Sequence, residues 1–196
     1  MKIIDCEQRS DEWFKARLGV PTASSFDKII TTKGVPSKSA KTYLYKLAGE
    51  FVSGASEETY QSAAMIRGCD LECEARNLYN FITGRFVEEV GFCLKEGFGA
   101  SPDGLVGKDG LLEIKCPLIS TQVSYLLDKS LPTAYIQQVQ GQLLVTGRKW
   151  CDFMSFYPGL DPLIVRVERD EEFIGLLKIE LKLFCAKLAD TIEKIK

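Results

Sequence analysis

The stretch that decides the fold lies in the middle of the chain, at residues 101–116, and reads SPDGLVGKDGLLEIKC. Two short apolar runs flank a glycine-rich segment, a pattern typical of a β-hairpin. Asp103 follows a proline, Glu113 comes after nine further residues, and Lys115 is two residues beyond Glu113. Because alternate residues of a strand point to the same face, Glu113 and Lys115 are predicted to share one.

The length of the hairpin loop decides whether Asp103 joins them. A loop of two residues pairs Asp103 with Ile114 and turns the aspartate to the opposite face. A loop of three residues, Lys108 to Gly110, pairs Asp103 with Lys115 and leaves all three side chains on one face. Gly110 suits the left-handed position of such a loop. We therefore predict a loop of three residues or of another odd length.

Two carboxylates and a lysine on one face indicate a Mg²⁺ site. Carboxylates supply the hard oxygen ligands that this cation prefers. A bound metal lowers the pKa of water, so a hydroxide forms without a histidine base, and the lysine orients that water or helps to deprotonate it. The chain contains no histidine, which excludes a Ser-His-Asp triad, a Cys-His pair and a histidine zinc site.

A second copy of the spacing occurs at Asp170, Glu180 and Lys182. It falls in a long amphipathic pattern, where positions two apart are about 200° apart around a helix and cannot converge. We interpret this copy as structural.

Composition describes one ordinary domain. The chain has 196 residues, 45% of them hydrophobic, and a formal net charge of −2. We expect a single domain over residues 1–196. The N-terminus has no apolar signal core, and no apolar run is long enough to span a membrane. Seven cysteines without a C-x-x-C pair favour reduced thiols, and hence the cytoplasm.

Hydrophobic periodicity predicts helices in the first half and strands in the middle. Helices are predicted over 10–18, 39–52, 67–83, 120–129, 132–146 and 170–195. Strands are predicted over 85–90, 92–95, 103–106, 111–116, 150–157 and 163–168. The order indicates one α/β domain with a mixed central sheet flanked by helices.

Positive charge is concentrated in one segment. Residues 28–46 contain five lysines and no acidic residue, so the segment carries +5 and the rest of the chain −7. The lysines form either a solvated face or a phosphate-binding patch. They are Lys28, Lys33, Lys38, Lys41 and Lys46.

Several motifs of the chain resemble those of a known family. Asp103, Glu113 and Lys115 match the PD-(D/E)XK nuclease motif, and the region from Gln8 to Tyr157 is similar to the phage lambda exonuclease, or YqaJ-like viral recombinase, family. Four segments carry the resemblance: RSDEWFKARLGVPTASSF, RGCDLECEAR, GASPDGLVGKDGLLEIKCP and AYIQQVQGQLLVTG. The resemblance implies a restriction-endonuclease-like core.

The resemblance also implies roles at a catalytic site. Asp103, Glu113 and the Ile114 carbonyl would ligate two Mg²⁺ ions, which Mn²⁺ can replace, and Lys115 would position the attacking water. Glu72 would be the additional acidic residue near the second metal. Gln140 would be the active-site glutamine, and Gln138 is its neighbour on the same segment.

A 5′-phosphate pocket is implied as well. The segment that runs from Arg17 through Thr22 to Ser24 matches the family, and Ser101 completes the pocket. Ser24 begins a capping-box pattern, so we expect it to be an N-cap where helix amides favour an anion. Arg17 is a bidentate phosphate donor.

Each residue also has a structural interpretation. Glu72 can be solvated, and Gln140 can satisfy a backbone group. Arg17 can pair with Glu12 or Glu7 on the surface. Cys69 and Cys73 share a helix face, but two cysteines alone make a weak zinc site. An iron–sulfur cluster is rejected because the chain lacks the C-terminal cysteine group that related nucleases use.

The resemblance implies a Mg²⁺-dependent 5′→3′ exonuclease that degrades one strand of linear double-stranded DNA and releases mononucleotides. It further implies a homotrimeric ring, with a single-strand annealing recombinase as partner, in a bacterial or phage-infected cytoplasm. The lysine segment would then face the DNA. Two alternatives stay open: an endonuclease on the same core, and a catalytically silent DNA-binding module.

Overall fold

The computed structural model describes residues 1–56 and 63–196, which form six α-helices, two 3-10 helices and eight strands. The α-helices are α1 (Asp11–Arg17), α2 (Ala40–Ser53), α3 (Ala63–Thr83), α4 (Ile119–Asp128), α5 (Ile136–Thr146) and α6 (Glu171–Ile195). The strands are β1 (Lys2–Ile4), β2 (Val87–Glu88), β3 (Phe92–Lys95), β4 (Phe98–Ala100), β5 (Gly104–Val106), β6 (Gly110–Lys115), β7 (Trp150–Ser155) and β8 (Leu163–Glu168). The 3-10 helices are Ala23–Lys28 and Thr133–Tyr135.

The central sheet is mixed, as predicted. Its five strands lie in the order β2-β5-β6-β7-β8, and only β6 and β7 run parallel to each other. A parallel pair needs a long crossover, which α4 and α5 provide. A second, antiparallel sheet of order β1-β3-β4 was not predicted. Two of its strands have three residues each, too few for alternation to be visible.

The hairpin between β5 and β6 has the predicted odd loop length but a different position. Gly104 pairs with Leu112 and Val106 with Gly110, so the loop is residues 107–109. Gly107 takes the left-handed conformation, with φ +54°. The prediction that Gly110 does so is wrong, because Gly110 belongs to β6 and packs directly against the ring of Trp150. Continuing this register places Asp103 beside Glu113 rather than beside Lys115, on the same face.

Helix α3 is fastened to the sheet by a buried polar cluster. The Tyr79 hydroxyl donates to Asp152 Oδ2 over 2.6 Å, and Arg166 makes two further bonds to the same carboxylate, each 2.8 Å long. Asp152 lies in the middle of β7 and is 3% exposed. The cluster therefore fixes the position of α3, and with it Glu72, relative to the strands.

The C-terminal helix α6 packs against α2 and α5. Its apolar stripe packs against α2, and the rings of Phe184 and Tyr43 stack with centroids 5.6 Å apart. The second Asp-Glu-Lys copy lies here and is structural: Asp170 caps the helix and Lys182 pairs with Glu96 at 3.7 Å. In the part of the chain that the structure describes, no helix combines the length and apolar character that crossing a membrane requires.

Candidate active site

The acidic residues of the motif converge at one end of the central sheet. Asp103 precedes β5, Glu113 and Lys115 lie on β6, and Glu72 projects from α3. Asp103, Glu72 and Lys115 line one cleft of about 360 Å³, together with Ile114. Asp103 Oδ2 accepts a bond of 2.6 Å from the Ile114 amide, which holds the aspartate against the neighbouring strand.

Glu113 is the most enclosed member of this group, with 1% of its surface exposed. Its Oε1 accepts hydrogen bonds from the Lys115 ammonium and from the Gln138 amide, the latter 2.5 Å long. Its Oε2 accepts a 2.6 Å bond from the Gln142 amide. Three donors therefore define the orientation of this buried carboxylate.

The charges of the cluster are unevenly compensated. Glu113 is paired with Lys115, while Glu72 is paired with Arg9 at 2.6 Å and Arg76 at 3.1 Å. Asp103 has no cation of its own among the described ion pairs. Burial raises the pKa of Asp103 well above its usual value, and the Glu113 carboxylate raises it further.

Lys115 remains a cation in this setting. Burial alone would lower the pKa of its ammonium, but the Glu113 and Asp103 carboxylates act in the opposite direction and raise that pKa on balance. The Tyr135 ring lies 5.4 Å from Nζ. Lys115 is therefore a hydrogen-bond donor and a positive charge here, which favours an orienting role over that of a base.

The donor set fits a hard divalent cation. Three carboxylates and the Ile114 carbonyl would offer oxygen ligands only, which matches Mg²⁺. Within residues 1–56 and 63–196, however, no three such side chains already stand in ligating positions. The hydrogen bonds explain this, because Glu113 and Glu72 are turned toward the protein's own donors. Asp103, which forms no ion pair among the described residues, is the point where a cation would be most stabilising.

The glutamine assignment needs a correction. The structure does not bring Gln140 to the cleft, because its side chain bonds the backbone of Glu168 at 2.9 Å and of Asp170 at 3.0 Å. Gln138 and Gln142 contact Glu113 instead. Residues four apart lie on one helix face, whereas residues two apart point in different directions. Counting four residues on from Gln138 along the helix would have identified Gln142 as the second glutamine at Glu113 and excluded Gln140 from that contact.

The four residues of the expected phosphate pocket do come together. Arg17 donates to the Ser101 hydroxyl and to the Thr22 hydroxyl, each over 3.3 Å. The Thr22 and Ser24 hydroxyls are also 3.3 Å apart. The Trp13 indole donates to Ser101 over 2.8 Å and its ring stacks under the Arg17 guanidinium, 4.0 Å away.

The expectation that Ser24 is an N-cap is wrong. Ser24 lies inside the short 3-10 helix Ala23–Lys28, and Thr22 occupies the N-cap position without a side-chain cap bond. A 3-10 segment of six residues has few aligned peptide dipoles. Ser24 therefore contributes a hydroxyl to the pocket and not a helix terminus.

Arg17 is a partly buried cation whose hydrogen bonds, among the described residues, go to neutral hydroxyls. Burial lowers the pKa of its guanidinium to about 10, so it stays charged at neutral pH. Among the described residues no carboxylate forms an ion pair with it, so the surface pairing with Glu7 or Glu12 does not occur. Glu50 acts on the guanidinium only through space, and its described hydrogen bonds are to hydroxyls, so this partly buried positive charge favours binding of an anion.

The lysine segment is spread over a 3-10 helix, a loop and α2. Lys28 and Lys41 lie over tyrosine rings, at 5.3 Å from the Tyr43 centroid and 5.6 Å from the Tyr45 centroid. Lys46 pairs with Glu50 at 3.7 Å. Lys33 and Lys38 are exposed. Contact of this segment with DNA stays a prediction.

The cysteines provide no alternative site. All seven are free thiols. Cys69 and Cys73 line a second cavity beside Glu72, but no group of three potential metal ligands forms in the described part of the chain.

Under the metal role that the sequence predicts for Glu113, replacing Gln142 with methionine should lower the turnover rate on the order of 10- to 100-fold, as loss of an outer-shell partner of a ligand does. Methionine keeps the volume of the side chain but leaves Glu113 Oε2 without its donor. The measurement is kcat on linear duplex DNA at saturating Mg²⁺.

Gln137→Met is the matched control for this variant. Gln137 lies on the same helix, is equally buried and donates to the Ile30 carbonyl at 3.2 Å, away from the cleft. Its loss should lower the melting temperature but not the rate. Equal rates for Gln142→Met and wild type would show that Gln142 does not orient Glu113.

Comparisons with known proteins agree with this geometry. An alkaline exonuclease from Laribacter hongkongensis matches at 39% sequence identity, with a TM-score of 0.87 over 95% of this chain and 96% of that chain. The same exonuclease in complex with dAMP matches at 40% identity, the same TM-score and the same coverage. A phage related exonuclease from Haemophilus somnus 129PT, at 17% identity, shares the fold, with a TM-score of 0.72 over 90% of this chain and 96% of that chain.

The fold and these similar structures identify an exonuclease with a PD-(D/E)XK core, so the predicted fold class and enzyme class are confirmed. Residues 12–149 match the model of the YqaJ-like viral recombinase domain. The chain belongs to this family. No curated protein sequence matches it significantly.

Proposed function

We propose that the chain is a Mg²⁺-dependent 5′→3′ exonuclease that degrades one strand of linear double-stranded DNA from a 5′-phosphorylated end and leaves a 3′ single-stranded tail for recombination. One observation carries this proposal. The anion pocket and the acidic cleft are joined by Ser101-Pro102-Asp103, with Ser101 in the pocket and Asp103 in the cleft.

The residues of the anion pocket and those of the acidic cleft have different roles. Arg17, Ser101 and Thr22 bind the terminal 5′-phosphate with one charged donor and two hydroxyls. Asp103, Glu113, Glu72 and the Ile114 carbonyl would hold the metals. When bound, these ions stabilise the developing charge on the phosphate and activate water. Lys115 orients the attacking group through its fixed position beside Glu113.

The arrangement explains polarity through positioning. A terminal phosphate bound at Ser101 places the next phosphodiester of the same strand near Asp103, so the strand is cut one nucleotide from its 5′ end. Cleavage there releases a nucleoside 5′-monophosphate. The Laribacter hongkongensis exonuclease was crystallised with such a molecule, dAMP, which supports this product.

The proposed assembly is a homotrimeric ring around DNA, with a single-strand annealing recombinase as partner in a bacterial or phage-infected cytoplasm. Phe81 and Phe86 have 86% and 80% of their surface exposed, which is apolar area that a subunit contact would bury. A ring holds DNA by topology, which lets a chain of net charge −2 bind a polyanion. The lysines of residues 28–46 would face that DNA.

A comparison of three DNA substrates with Mg²⁺ tests the function. We expect linear duplex with a 5′-phosphate to be degraded about tenfold or more faster than linear duplex with a 5′-hydroxyl, since a charge-assisted phosphate contact contributes about 1.5–3 kcal/mol. Closed circular duplex should remain intact. Products are separated by size to detect mononucleotides and the surviving 3′ strand.

Two outcomes would favour the alternatives. Cleavage of the closed circle would indicate an endonuclease on the same core. Absence of any metal-dependent hydrolysis, with DNA binding retained, would indicate a silent binding module.

A further inference from the structure

Arg9 has a strained backbone beside the acidic cleft. Its φ is +73°, in the left-handed region that residues with a side chain rarely adopt. The two neighbouring residues, Gln8 and Ser10, hold Arg9 in this conformation. The Gln8 amide donates to the carbonyls of Val90 at 2.8 Å and Pro102 at 2.9 Å, and Ser10 caps α1 by accepting from the backbone of Trp13.

These anchors place the Arg9 guanidinium at the metal site. Pro102, to which Gln8 is bound, directly precedes Asp103. Arg9 lines both cavities that flank Glu72, and Asp103 lines both of them too. The guanidinium donates to Glu72 Oε2 over 2.6 Å. A backbone conformation that carries strain at a functional site is often maintained for what the side chain does there.

The two arginines on Glu72 are not equivalent. Arg76 lies one turn along α3, has 13% of its side chain exposed and pairs with Glu89 at 2.6 Å as well as with Glu72 Oε1. Arg9 lies in a loop, has 48% of its side chain exposed and forms its ion pairs with Glu72 alone, among the described residues. Arg9 is therefore the cation that can leave.

We propose that Arg9 is the counter-ion of the acidic cleft and that a divalent metal displaces its guanidinium from Glu72. The guanidinium compensates the carboxylate in the metal-free enzyme and competes with the metal for Oε2. This inference rests on the proposed function, because it takes Glu72 to be a metal ligand. It makes Arg9 a positioning residue that sets metal affinity through Glu72.

Metal affinity measured without DNA tests the exchange. Mn²⁺ is titrated by calorimetry into wild type, Arg9→Gly and Arg9→Lys. Glycine accepts the left-handed conformation without strain, so the variant keeps its fold. We expect Arg9→Gly to bind Mn²⁺ more tightly, on the order of tenfold, because one positive charge is removed from the site. Arg9→Lys keeps the charge and should stay within about twofold of wild type.

Two further variants separate the possible failures. Arg85→Gln removes a positive charge that pairs with Asp152 and does not line the cleft, so Mn²⁺ affinity should not change. Glu72→Gln should weaken Mn²⁺ binding. If it does and Arg9→Gly binds no more tightly than wild type, the counter-ion role is refuted and the proposed function stands. If the Glu72→Gln variant binds Mn²⁺ as tightly as wild type, Glu72 is not a metal ligand. Neither its proposed ligand role nor the counter-ion role of Arg9 then stands.

Discussion

Replacing Lys115 with alanine should lower the rate of DNA hydrolysis on the order of 10³-fold, a loss typical of removing a group that stabilises or orients charge at the reacting phosphate. The ammonium donates to the buried Glu113 carboxylate and lies over the Tyr135 ring. Alanine removes both the donor and the lysine that lines the cleft. The measurement is kcat on linear 5′-phosphorylated duplex at saturating Mg²⁺, with affinity for the DNA expected to stay near that of wild type.

Lys108→Ala is the control for this variant. Lys108 lies exposed in the loop of the same hairpin, so its loss changes the net charge equally without touching the cleft. Circular dichroism of the Lys115→Ala variant checks that it is folded. Full activity in a folded Lys115→Ala enzyme would mean that the hydrolytic site lies elsewhere.

Replacing Arg17 with alanine should abolish the preference for a 5′-phosphate. The ratio of kcat/KM between 5′-phosphorylated and 5′-hydroxyl duplex should fall from about tenfold or more to near one, because the charge-assisted contact to the terminal phosphate is lost. Arg17 is the partly buried cation of the pocket and has no carboxylate ion pair in the described part of the chain. Activity on the 5′-hydroxyl substrate should change little by comparison.

Arg17→Met answers the concern that alanine leaves a cavity beside Trp13. Methionine retains much of the apolar stem that packs on the indole but carries no charge. Both variants should lose the preference. A preference that survives in both would place the phosphate pocket at other residues.

Most of the geometry of the candidate site was predictable from local rules. The requirement that Asp103, Glu113 and Lys115 share a face depends only on the parity of the hairpin loop, and parity was correct although the loop lies one residue earlier. The one-residue shift has a cause that the local sequence does not show. Gly107 supplies the left-handed turn, while Gly110 is needed where the Trp150 ring packs on the strand, and that contact comes from a residue 40 positions away.

The errors have different origins. Gln140 was assigned by resemblance alone, although helical periodicity places Gln138 and Gln142 together on the other side of α5. Ser24 matched a capping pattern, but the segment is too short to build an α-helix behind it. Arg9 gave no sequence signal, because its position depends on Gln8 bonding two carbonyls more than 80 residues away.

The link from Ser101 to Asp103 has one more consequence. Two residues of backbone span at most about 7 Å, so the pocket and the cleft cannot move apart. Under the proposed function this peptide is a molecular ruler: the length of the excised fragment is encoded in covalent distance, and neither DNA sequence nor subunit motion alters it. Step size and processivity are then separable properties, the first belonging to a tripeptide and the second to the assembly.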